Sequence, residues 1–253
     1  MHTWVRPRPG RVGYRRDLAL AVLVAVGGGI SAALYSRVGI YSEPAPLWLT
    51  IVVILGYSLP LALRRRFPLV VAVIVSAAFF VGGQFLVPDA LVINIALFIS
   101  IYTLGAWGRD RRAANIVRAV ITVGMFVWIF ANIAITTADP ETMPGFSRSG
   151  LFSELAAWSV IQVITNLLYF IGAWAFGNAM WSAARRKAEL LARTNELAEE
   201  REFSASQAVA LDRVRIAREL HDVVAHHVSV MGVQAGAARR VVQTDPAQAS
   251  ASL

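Results

Sequence analysis

"RRRFPLVVAVIVSAAFFVGGQFLVPDALVINIALFISIYTLGAWGRDRR", residues 64–112, contains two apolar runs, Pro68 to Val87 and Ala90 to Gly108, with arginines at both outer ends. Each run is about 20 residues, and at 1.5 Å per residue each spans the roughly 30 Å of a bilayer's hydrocarbon core. The arginines bracket the pair and are missing from its middle, so the stretch reads as a hairpin that enters a membrane and returns. Four similar runs flank it: Asp17 to Tyr35, Pro46 to Leu63, Ala119 to Ile135 and Leu155 to Trp174. The first follows an arginine-rich start, as a signal peptide does. Its apolar run exceeds the usual 7–15 residues of such a segment, and five more spans follow. The composition agrees. Of 253 residues 57% are hydrophobic and 16% charged, against roughly 45–50% and 25% for soluble domains. Mean hydropathy is +0.56.

Arginine placement orients the spans. Arg6, Arg8, Arg11, Arg15 and Arg16 precede the first; Arg64, Arg65 and Arg66 follow the second. Arg109, Arg111, Arg112 and Arg118 separate the fourth from the fifth, and Arg185, Arg186 and Lys187 follow the sixth. The alternate loops carry only Arg37 and Arg148. Positive residues mark the cytoplasmic side, so six spans with both termini cytoplasmic are expected. The net charge of +8 is therefore a topology signal, in short clusters between apolar runs, and not a nucleic-acid footprint. Cysteine is absent, which removes disulfides, thiolate metal sites and cysteine nucleophiles.

The outer loops are short. The longest, Thr136 to Gly150, is too small to fold as a ligand domain. Polar residues lie in or near the spans at Gln84, Asn94, Asn132, Gln162 and Asn166. Gln162 and Asn166, four apart, share a helix face. Interhelical hydrogen bonding is the expected role and a ligand pocket the alternative; nothing in the sequence selects a ligand. Gly27, Gly28 and Gly29 suit close helix packing, since no strand precedes them as a phosphate loop requires. Acidic and basic residues are absent near the span midpoints, where ion-coupled transporters commonly place them.

After Trp181 the sequence becomes charged and rich in helix formers. Glu189 and Arg193 form an i, i+4 pair in the favourable order. Leu190, Leu197 and Leu211 fit a heptad with Ser204 at the missing step. Ile216, Leu220, Val223, His227, Val230, Gln234, Ala237 and Val241 then step by alternating fours and threes, an a/d seam that implies a helical dimer. Asp245 and Pro246 should end the helix.

Three of the four histidines sit in this helix, in "RIARELHDVVAHHVSV" (215–230). A helical zinc-peptidase motif needs histidines four apart. His221 and His226 are five apart and diverge by about 140°. Asp222 and His226 share a face, but two ligands do not make a metal site. His227 lies on the seam, where it would pack and hydrogen-bond between helices. His221 and Asp222 lie off it and form either an ordinary solvated pair or a reactive one. In the reactive case one imidazole nitrogen attacks while a carboxylate holds the proton on the other.

"DRVRIARELHDVVAHHVSVMGVQAGAARRVV" (212–242) resembles the phosphoacceptor helix of sensor histidine kinases, specifically the subgroup 3 kind found in nitrate sensors and in the membrane thermosensor controlling a lipid desaturase. The residues that carry the likeness are Arg215, Arg218, Glu219, Leu220, His221, Asp222 and His226. The resemblance implies that His221 takes the γ-phosphoryl group of ATP. Asp222 would be its hydrogen-bond partner and base. Asp222 and His226 would orient water for dephosphorylating a response regulator. It also implies ATP and Mg2+ as cosubstrates of the complete kinase, a homodimer through the 216–241 seam, contact with membrane lipid and a bacterial cytoplasmic (inner) membrane location; the charge pattern and the histidine spacing lead to no nucleic-acid partner and no metal ligand in this chain.

The expected architecture is all-α: a basic tail (1–16), a six-span sensor bundle (17–181), a helical signalling linker or coiled coil (182–212), the phosphoacceptor helix of a dimeric four-helix bundle (213–243) and a short tail (244–253). The second helix of that four-helix bundle is absent. So are an asparagine box, an Asp-x-Gly-x-Gly stretch and a nucleotide lid outside the membrane. The chain alone is therefore expected to bind no ATP and to be inactive as a kinase, as a truncated product or part of a longer one. Two other readings explain the spans: a transporter or channel with a basic tail, and a membrane scaffold that dimerises without phosphotransfer.

Overall fold

The computed structural model describes residues 4–39, 41, 43–139, 147, 149–150 and 152–244, with side chains to residue 240. Its regular elements are all helical: α1 (Arg11–Val38), α2 (Leu47–Ser58) continued by a 3-10 segment (Leu59–Leu63), α3 (Pro68–Gln84), α4 (Val92–Trp107), α5 (Arg111–Ala138) and α6 (Glu154–Thr244). The fold class expected from the apolar runs is the one observed.

Local chemistry sets the boundaries. α1 stops where Gly39 takes a left-handed conformation (φ 69°) and returns its N–H to Tyr35, the usual glycine cap. Pro60 lacks the N–H that α2 would need to continue, and the chain tightens to 3-10 there. Pro68 opens α3, a position that needs no donor. The Asp110 carboxylate caps α5, accepting from Arg112 N–H at 2.8 Å and Ala113 N–H at 3.2 Å. Ser153 Oγ caps α6 through Ala156 N–H at 3.2 Å. No proline lies between Ser153 and Thr244, so nothing breaks α6 over its 91 residues. The Asp245-Pro246 turn lies outside the described residues, as do Arg148 and most of the loop from Thr136 to Gly150.

Arg11–Val38, Arg111–Ala138 and the apolar part of α6 are long and apolar enough to cross a membrane. Leu47–Leu63, Pro68–Gln84 and Val92–Trp107 are shorter apolar helices. At 16–17 residues, α3 and α4 reach roughly 24–26 Å, a few ångströms under a typical hydrocarbon core.

The chain divides into two units, residues 1–187 and 188–253. In the first, α4 is central. Ala96, Leu97 and Ile101 are buried with Tyr57 and Leu61 from the α2 segment and Val71 and Val75 from α3. Outward positions of the long helices are apolar and open: Leu23, Val120 and Leu168 are each about two-thirds exposed. Apolar surface of this extent suits lipid, not water. Gly28 lies against Tyr57, whose hydroxyl occupies the space a Cβ would need, whereas Gly29 faces open space. One glycine of the triplet thus serves close packing.

The arginine clusters meet at one end of this unit. Asp17, fully buried, pairs with Arg64 at 2.9 Å and Arg65 at 3.1 Å. Arg6 donates to the Ala106 carbonyl at 2.9 Å and stacks 3.8 Å over Trp107. Burial holds its guanidinium below the ordinary arginine value. Trp4 meets Trp181 edge-on. Arg111 lies over Trp181 at 4.5 Å.

Candidate functional site

Arg118 is a loop residue in the sequence reading and a helix residue in the structure. It sits two turns into α5 and is fully buried. Its guanidinium stacks 4.0 Å over Trp174 and donates to Asn115 Oδ1 at 2.6 Å and Asn178 Oδ1 at 3.0 Å. Nε and Nη1 remain without partners. Arg111, one heptad earlier, shares the Asn178 oxygen at 3.0 Å. Gly105 of α4 and Gly177 of α6 close around the Arg118 side chain. The signal was present in the spacing: 111, 115 and 118 fall on one helix face.

The span amides also depart from expectation. Asn94, Asn132 and Asn166 each donate to the carbonyl four residues back, Ala90, Trp128 and Gln162 respectively. These bonds lie within helices, not between them. The link between α4 and α6 comes instead from the Tyr169 hydroxyl, which donates to the Asn94 carbonyl, and from Phe98 packed against Tyr169. Charge does enter the bundle, at Asp17, Asp89 and Arg118, which weakens the argument against transport drawn from the span midpoints.

In the second unit, α6 displays the histidine cluster in full solvent. His221, Asp222, His226 and His227 are all exposed. No hydrogen bond joins His221 to Asp222; successive helix positions diverge by about 100°. His227 contacts its own helix through Nδ1 and the Val223 carbonyl at 2.8 Å. Its ring meets His226 edge-on at 6.0 Å. No group of three metal-ligating side chains occurs among the described residues. Ahead of the histidines, Arg215 pairs with Asp212 at 2.6 Å and reaches Glu219 at 3.8 Å. These exposed pairs contribute little stability.

The seam is apolar and uncovered in the single chain. Leu220 is 61% exposed, and Ile216, Val223 and Val230 are each more than 40% exposed. A helix bearing such a stripe needs another helix to cover it.

Two family models match. Residues 1–185 match a domain of unknown function, DUF7134, over the tail, the bundle and the start of the charged helix. The chain belongs to that family. Residues 212–253 match the histidine kinase family HisKA_3. The recognition drawn from Glu219, Leu220, His221 and Asp222 therefore stands: this DUF7134 chain is of the sensor histidine kinase type, subgroup 3, with its membrane unit ahead of the phosphoacceptor segment. Such a segment implies dimerisation and a response-regulator partner in general. Comparison with curated proteins returned no match, and comparison with solved structures returned none.

Proposed function

We propose that the chain is the membrane sensor and phosphoacceptor portion of a two-component histidine kinase, with both termini cytoplasmic and six membrane crossings. The observation that carries this reading is the position of His221: it is exposed, within the kinase-matched segment, on a helix that runs unbroken from the last apolar span. One neutral imidazole nitrogen attacks the γ-phosphorus of ATP. An N–P bond forms, the bond to the bridging oxygen breaks, and ADP leaves with the electron pair. The other ring nitrogen keeps its proton, and Asp222, after side-chain rotation, accepts that hydrogen bond and stabilises the imidazolium. The phosphoryl group then passes to a carboxylate of the response regulator. Positioning of ATP and Mg2+ belongs to a nucleotide-binding domain; the helix supplies the nucleophile. Asp222 and His226, on one face, orient a water that hydrolyses the regulator's acyl phosphate, releasing inorganic phosphate and the free carboxylate.

The test joins the chain to a second dimerisation helix and an ATP-binding domain of its group and follows label from ATP. Acid-labile, base-stable label is expected in the parent and none in His221→Gln. Label persisting in His221→Gln refutes the assignment. Asp89 and Arg118, buried in the bundle, favour transport as the second reading; ion or solute flux through vesicles carrying the chain would establish it.

A further inference from the structure

At the end of the membrane unit away from the arginine contacts lies a cavity of about 500 Å3, a volume typical of small-molecule sites. α3, the turn before α4, α4, α5 and the membrane part of α6 all contribute to its wall. Among the described residues, Asp89 is its one formally charged lining residue, and no arginine or lysine lines it. The Asp89 carboxylate is almost fully buried. Its partners are neutral: Ser31 Oγ donates at 2.8 Å, Tyr57 Oη at 2.5 Å and Val92 N–H at 3.0 Å. Neutral donors stabilise a carboxylate without cancelling its charge, and in an apolar surround that charge acts across the cavity.

The rest of the wall narrows the choice of ligand. Trp128, Tyr41 and Tyr169 present aromatic rings to it. Tyr41, in the loop before α2, is held above its ordinary pKa first by burial and then by Tyr35 and Asp89, so it stays a neutral phenol. Trp128 has a buried indole N–H with no partner. Asn94 and Asn166 spend an amide hydrogen on their own helices and line the cavity as well. An anion would meet Asp89 unfavourably. A hard metal ion requires six or more oxygen ligands, which a wall of rings does not supply. Aromatic faces beside one negative charge are the recognised environment of organic ammonium ions.

We propose that this cavity binds an organic ammonium ion that carries an apolar arm and a hydrogen-bond acceptor, the acceptor engaging Trp128. The proposal deepens the sensor reading by naming the class of stimulus, and its test is independent of phosphotransfer: the probe is titrated without ATP, and histidine labelling is measured without the probe.

The full chain, purified in a neutral maltoside detergent, is titrated by calorimetry with benzoylcholine, which carries a quaternary ammonium, a phenyl arm and an ester acceptor, with benzenesulfonate as the anionic control. Saturable binding of the cation alone is expected. Asp89→Asn should weaken it about tenfold, one cation's attraction to a nearby carboxylate at intermediate dielectric. Because Asp89 also ties α1, α2 and α4 together, Trp128→Leu is the second variant; it leaves that network intact and should weaken binding several-fold. Absence of binding at millimolar probe, equal binding of benzenesulfonate, or unchanged affinity in Trp128→Leu would overturn the proposal. Short-chain phosphatidylcholine below its micelle concentration distinguishes the source. Displacement of the probe assigns the site to a lipid headgroup, and failure to displace assigns it to a soluble amine; ammonium recognition stands in both cases.

Discussion

Replacing Gly177 with alanine tests the packing around Arg118. A Cβ at Gly177 would lie 3.0 Å from the Tyr102 carbonyl oxygen, 3.2 Å from Gly105 Cα and 3.2 Å from Arg118 Nη1. Two of these neighbours are backbone and cannot swing aside, which places the substitution at the upper end of overpacking costs, about 3 kcal/mol. Alanine returns up to about 1 kcal/mol through helix propensity, leaving a net loss of about 2 kcal/mol. At roughly 2–4 °C per kcal/mol for a unit of this size, Gly177→Ala should melt about 4–8 °C lower. Gly172 is the internal control. It lies five residues earlier on the same helix, and its Cβ would meet only Phe98 Cε2 at 3.6 Å, an ordinary contact. Gly172→Ala should therefore melt at or slightly above the parent. Thermal unfolding in detergent, followed by near-ultraviolet circular dichroism, reads both. Gly177→Ala within about 1 °C of the parent, or an equal fall in Gly172→Ala, would show that α4 and α6 do not meet at these glycines.

Arg118→Met removes a buried guanidinium with two unpartnered nitrogens and keeps most of its volume, so stability should hold or rise by about 1–4 kcal/mol; Arg118→Ala, which leaves a cavity, should lose about 2–5 kcal/mol, and the same melting curves decide. Leu220→Glu places a charge in the exposed seam and should weaken crosslinking between cysteines introduced at seam positions; undiminished crosslinking would move the dimer contact elsewhere. In the completed kinase, His226→Ala should spare phosphoryl acceptance and slow regulator dephosphorylation, whereas Asp222→Asn should slow acceptance by about 10²–10⁴-fold; equal losses of both activities in His226→Ala would remove its separate role. The chain has no native cysteine, so single cysteines report topology directly: an impermeant reagent on intact cells should label Ser149→Cys and leave Arg66→Cys unlabelled.

Much of the architecture was legible because its cause is local. Apolar runs of spanning length, Pro60, Pro68 and the Asp110 cap fix helix positions without reference to the rest of the chain. The helix that carries the fifth apolar run begins at Arg111, eight residues before Ala119, because charge at Arg111, Arg112 and Arg118 reads as loop until Trp174, Asn178, Gly105 and Gly177 supply a buried place for a guanidinium. Those partners lie in other helices, and a single sequence does not show which helices touch. The same gap hid Asp89. Beside a proline in a short connection it reads as a turn residue, yet Ser31 and Tyr57, 58 and 32 residues away, make it part of the interior. The histidine segment was legible because its likeness to the histidine kinase family rests on adjacent residues, Glu219 to Asp222, that need no partner from another helix to be recognised.

Trp4 against Trp181 and Arg6 over Trp107 fix an order of assembly. The tail is synthesised first, but its partners leave the ribosome only after about 100 and 180 residues have followed. Arg6 can dock once α4 is complete, whereas Trp4 must wait until α6 has reached Trp181. The tail is thus a closing seal. A copy lacking the apolar part of α6 would leave Trp4 without its ring partner, so protection of this segment from protease reads out whether α6 has packed.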